Sequence, residues 1–222
     1  MNRQITQPDG SRNPSRKRCE GFSVVELMIV VVIVLIVAAI SIPGFLTMIH
    51  NAKLQGAASD FGGLLQKARI RAVQDDVYYA TYFTSSGTLL EAYVDVKKLV
   101  GSTALDATVD PMVSMSSEVS VVAAGSAPNT SALQGLFLPT GSTLTVNDGA
   151  SSSSPVIFNS RGLPCTSISV SGGTLCSSSS TYTTAYWLFF QDNITHAWVA
   201  VTISPAGRIQ KWRADGSSWV KD

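Results

Sequence analysis

One carboxylate, Glu26, stands near the start of a run that is otherwise apolar from Phe22 to Ile42, apart from Ser23 and Ser41; Pro43 follows it. As a helix rising about 1.5 Å per residue, about 21 residues extend about 32 Å, and a bilayer core is about 30 Å thick. A lone ionisable group in such a span costs a few kcal/mol and by default marks a function. Just before the run lies Gly21, and before that the basic cluster Arg16-Lys17-Arg18. Arg3, Arg12, Arg16, Lys17 and Arg18 outweigh Asp9 and Glu20, so residues 1–21 are net positive and the remainder is net negative, although the whole chain carries only +1. Positive charge beside an apolar span stays on the cytoplasmic side, so residues 1–21 should stay cytoplasmic and the rest should be exported. The run is too long for an ordinary secretory signal, and Pro43-Gly44-Phe45 is no Ala-x-Ala site. On hydropathy alone, these residues read as an uncleaved single-pass anchor.

The other reactive side chains give less. Cys165 and Cys176 fall in a Ser/Gly/Thr-rich stretch of the exported part. An oxidising compartment favours a disulfide between them, with two free thiols as the alternative. Neither histidine, His50 nor His196, has cysteine or carboxylate neighbours at metal-ligand spacing, so both read as surface polar residues. No serine lies in a nucleophile elbow, and no Gly-rich loop follows a strand in a phosphate-binding pattern. The residues point to no enzyme, no metal and no cofactor. Near the C-terminus Arg208, Lys211 and Arg213 lie among Trp212 and Trp219, a pattern that could pair phosphate contacts with base stacking. The alternative for this segment is an edge strand guarded by charge.

The elements that hold these groups follow from periodicity. Beyond Pro43, which should kink or locally open the helix, Leu54, Ala58, Phe61, Leu65, Ala68 and Ala72 recur every three or four residues. That spacing predicts an amphipathic helix over 43–76 with its stripe laid on a sheet. From Val77 the pattern changes to that of strands: 77–83 and 89–96 form a hairpin, and short strands are expected at 119–123, 135–138 and 143–146. Residues 151–154 read as a loop. Residues 155–164 read as a strand ending in a turn, and 185–191, 196–204 and 207–213 form the last hairpins. The fold class is α+β, divided as 1–21 leader, 22–42 transmembrane helix, 43–76 amphipathic helix and 77–222 β-rich exported head.

Gly21-Phe22-x-x-x-Glu26, a long apolar helix and Pro43 together resemble the leader of type IV prepilins and type II secretion pseudopilins. The resemblance implies that a prepilin peptidase cuts after Gly21 and methylates the amine of Phe22. It also implies that Glu26 pairs with the N-terminal amine of a neighbouring subunit, and that other pilin subunits and an inner-membrane assembly platform are partners. Glu20 stands where a basic residue is more usual, and the leader is longer than most. Phe158-x-x-x-Gly162 and the ending through Pro205-Ala206-Gly207-Arg208 resemble the GspH/FimT subgroup of minor pilins. Some members of that group capture DNA through a Gly-Arg-x-Arg tail; here Gln210 replaces the second Arg. The expected function is a minor pilin or pseudopilin, a structural subunit of a pilus or secretion pseudopilus anchored in the inner membrane with a periplasmic head. A DNA-binding minor pilin is the alternative.

Overall fold

A computed structural model describes residues 21–86, 89–95, 111–139, 144–150, 155–170, 173–176 and 183–222. Residues 1–20 of the leader, residues 96–110 and the loop expected at 151–154 lie outside the described residues.

Helix α1 runs over Val24–Gln74, and its helical backbone continues through Pro43. The chain nevertheless divides into two compact units at this point, one ending at Gly44 and one comprising Phe45–Asp222. In the first unit the apolar side chains from Val24 to Ile42 are largely exposed, and the helix is long and apolar enough to cross a membrane.

In the second unit the amphipathic part of α1 is not a separate element from the head, because its stripe is the centre of the head's core. Leu54, Ala58, Phe61, Leu65, Ala68 and Ala72 are all buried. They pack with Tyr79, Val156 and Phe158 of one sheet and with Leu188, Phe190, Val199, Val201 and Ile203 of another. The helix ends where Asp76 takes a left-handed φ of 51° and Val77 N–H donates to the Ala72 carbonyl at 3.3 Å, the reach of a Schellman cap. Tyr79 donates its hydroxyl to Asp75 at this end. Burial, then that bond to a carboxylate, push the Tyr79 hydroxyl up to about 12.

The first sheet holds β1 (Tyr79–Ser86), β2 (Leu89–Asp95), β3 (Met112–Ser114), β6 (Val156–Phe158) and β7 (Pro164–Cys165), in the order β3-β2-β1-β6-β7. The β1–β2 hairpin expected from the sequence is present, in antiparallel register from Ala80↔Asp95 to Ser86↔Leu89. The second sheet holds β4 (Val119–Val122), β10 (Thr184–Asp192), β11 (Trp198–Ile203), β12 (Ile209–Asp215) and β13 (Ser218–Lys221), in the order β13-β12-β11-β10-β4. Strand β5 (Thr145–Asp148) adds to β10 in parallel. A separate hairpin pairs β8 (Ser167–Val170) with β9 (Gly173–Cys176).

Strand β10 is buried on both faces, as a central strand covered by helices on either side should be. Tyr186, Leu188 and Phe190 face α1, while Ala185 and Phe189 face a second cluster with Leu133, Phe137, Trp212 and Trp219. That second cover corrects one expectation. Residues 135–138 are not a strand; Thr130–Phe137 form helix α2, capped by the Asn129 side chain accepting from Ala132 N–H. The cap satisfies a free N–H, and the one-turn spacing of Leu133 and Phe137 puts both on the sheet. The C-terminal basic strand β12 is not an edge either, because β13 pairs along it.

Two glycine turns lock this unit to α1. Gly162 (φ 72°) and Gly207 (φ 73°) take conformations that side chains rarely adopt. A Cβ on Gly207 would come within 2.8 Å of the Gly162 carbonyl oxygen, and one on Gly162 within 2.9 Å of Val73. Arg69 of α1 closes the contact by donating Nε–H to the Gly162 carbonyl at 3.0 Å.

Candidate functional site

The junction at Gly21-Phe22 is exposed and precedes the helix by two residues. Ser23 starts α1: its hydroxyl accepts from Val25 N–H at 3.3 Å and its carbonyl accepts from Leu27 N–H at 3.1 Å. This fixes Glu26 in the first turn, where the positive end of the helix dipole favours a carboxylate. The chain therefore holds an accessible peptide bond, a backbone amine that would be freed by cutting it, and a carboxylate one helical turn beyond. Glu26 is exposed.

The C-terminal residues do not form the array drawn from their order. Alternation along β12 sends Lys211 toward α1, where Nζ donates to the Ser59 hydroxyl at 3.0 Å and lies 3.6 Å from the Asp222 carboxylate. Trp212 points to the opposite face, donating Nε1–H to the buried Thr202 hydroxyl at 2.8 Å. Trp219 donates to the Pro128 carbonyl at 3.1 Å. Both rings are 5 % exposed, so neither offers a stacking face. Arg208 and Arg213 are exposed.

Cys165 is buried and disulfide-bonded. The β8–β9 register sets Cys176 opposite Ser167, two residues along from Cys165, while the Cys176 side chain lies outside the described residues. Tyr186 donates its hydroxyl to the Cys165 carbonyl at 2.6 Å, tying β7 to β10; burial pushes that hydroxyl well above its ordinary range. The expectation is that Cys165 and Cys176 resist alkylation in denatured, non-reduced protein and react fully after reduction. A bridge of this loop length is worth roughly 2–3 kcal/mol on the chain-entropy account. Alkylation of both without reductant would exclude the pairing.

One group of residues was missed. His196 is exposed, as the sequence reading holds, but His50 is not a plain surface residue. Its Nδ1 lies 3.3 Å from Glu118 Oε2 and 3.5 Å from Asp192 Oδ2. Burial works against the Asp192 charge, but hydrogen bonds from Thr195 and Ile194, with His50 nearby, hold its carboxyl below the usual range. The three residues come from α1, the segment before β4 and the end of β10, so no local spacing could reveal them.

Residues 16–42 match the family model of the prokaryotic N-terminal methylation motif. No curated protein and no solved structure matches the chain. The matched segment holds the Gly21-Phe22 junction, Glu26 and the apolar run. It supports a membrane-anchored, type IV pilin-like or pseudopilin-like chain that is processed by prepilin peptidase and assembles with other pilin-type subunits.

Proposed function

We propose that the chain is a minor pilin or pseudopilin of the GspH/FimT kind, stored in the inner membrane with its head in the periplasm and drawn into a filament by an assembly platform. The observation that carries this reading is Gly21-Phe22 followed by Glu26 in the first turn of an apolar helix, within the matched segment. Cleavage creates an amine in the membrane, and Glu26 of an adjacent subunit supplies its charge partner. Processing and assembly are then coupled through one ion pair, and a carboxylate that is costly in lipid gains a reason to be there. The subgroup reading is supported by the two turns, at Gly162 and Gly207, that meet on Arg69.

The mature protein is expected to begin at Phe22 with a methylated amine. Intact-mass measurement of protein extracted from membranes of cells with an active prepilin peptidase checks this. A mass that still includes residues 1–21 would refute the reading and leave an uncleaved anchor.

A further inference from the structure

The two carboxylates around His50 are held in place by separate bonds. Asp192 spends one oxygen on the turn after β10: Oδ1 accepts from Ile194 N–H at 3.0 Å, Thr195 N–H at 2.7 Å and the Thr195 hydroxyl at 3.0 Å. Its other oxygen, Oδ2, is buried with no hydrogen-bond partner, and its side chain is 0 % exposed. The same turn fixes Glu118, whose carbonyl accepts from Asn193 N–H at 2.8 Å.

His50 Nδ1 is also buried without a hydrogen-bond partner, although it lies 3.3 and 3.5 Å from the two carboxylate oxygens. The facing atoms of the three residues thus lie close together without hydrogen-bonding to one another; Glu118 Oε2 accepts instead from Lys53 Nζ. Orphaned buried polar atoms of this kind are costly and call for an explanation. One donor atom from each residue lies within 4.8 Å of the others. Ligands at about 2.0–2.2 Å from a tetrahedral ion are separated by roughly 3.4 Å, close to both His50 distances.

We propose that His50, Glu118 and Asp192 form a binding site for a zinc-class divalent transition ion, with water completing the coordination. The imidazole favours such an ion over magnesium or calcium, which prefer all-oxygen sets. The half-exposed edge at Glu118 and Lys53 gives the ion a way in. The bound ion joins α1 to the loops at one end of the second sheet and so staples the helix to the head. Lys53 Nζ, 2.7 Å from Glu118 Oε2, is a cation competing for one ligand oxygen.

The test uses full-length protein in detergent, purified without reductant and stripped with chelator, with Cys19→Ser removing the leader thiol. Zn²⁺ alone is titrated calorimetrically, and Co²⁺ is used as a spectroscopic probe. One equivalent should bind, and Co²⁺ should show the intense visible bands of a four-coordinate site. His50→Gln and the near-isosteric Asp192→Asn should each weaken binding by at least roughly tenfold, since even the outer partners of ligands are worth that much. His196→Gln should change nothing, and Lys53→Gln should tighten binding by freeing Glu118. Circular dichroism on each variant separates lost ligation from lost fold. Absence of zinc binding by the parent protein, or equal binding by folded His50→Gln, overturns the proposal and leaves the cluster as an ion-pair contact only.

Discussion

Glu26→Ala is expected to insert and be cleaved like the parent chain, yet to drop out of sheared filaments by more than about tenfold. Insertion should not suffer, because removing a carboxylate from the end of the span makes it more apolar. Helix initiation also survives, since Ser23 caps the first turn independently. What disappears is the partner of the amine that cleavage places in the membrane. Leaving one member of a buried charge pair alone costs about 3–5 kcal/mol, enough for the stated loss. Glu26→Gln separates shape from charge: it keeps the side-chain volume and should fail nearly as badly. The measurement is the ratio of processed subunit in the filament fraction to that in the membrane fraction. Wild-type incorporation of the Ala variant would show that Glu26 makes no assembly contact, even with cleavage at Phe22 intact.

What could be read from the chain depended on how many residues carried each signal. The stripe of α1 repeats over six positions, and all six lie in the core. The long strands β1, β2, β10 and β11 hold enough β-branched and aromatic residues to stand out. Helix α2 has eight residues and two buried side chains, Leu133 and Phe137. Two positions do not define a period, so Gly135-Leu136-Phe137-Leu138 reads as a strand. Strand β13 is shorter still, and without it β12 reads as an edge and Trp212 as free. The neighbours of β12 explain both errors: β13 pairs one side, and the cluster with Phe189 and Trp219 takes the indole. The junction at Gly21 was legible because its chemistry is local in sequence. The His50 group was not, because a site assembled from three distant segments exists only after folding.

Phe61→Ala is expected to lower the melting temperature of the head by about 6–20 °C, the largest loss of stability from any single truncation on α1. Phe61 is fully buried at the middle of the stripe, and its ring meets that of Phe190 at a centroid distance of 5.8 Å and a tilt of 55°. Replacing it by Ala removes that contact and leaves a cavity between helix and sheet, at a cost of about 3–5 kcal/mol. In a unit of this size each kcal/mol moves the midpoint by about 2–4 °C, which gives the range stated. Phe61→Leu keeps most of the volume and should lose much less. Ile70→Ala, on the exposed side of the same helix at 53 % accessibility, should change stability by no more than about 0.5 kcal/mol. Melting of the full chain in detergent, followed by circular dichroism, compares all three. A Phe61→Ala protein that melts with the parent, or one that falls no further than Ile70→Ala, would mean that the amphipathic part of α1 does not rest on the sheet. The stapling role given to His50 would then fail with it, because that histidine reaches its two carboxylates only from a helix docked in this register.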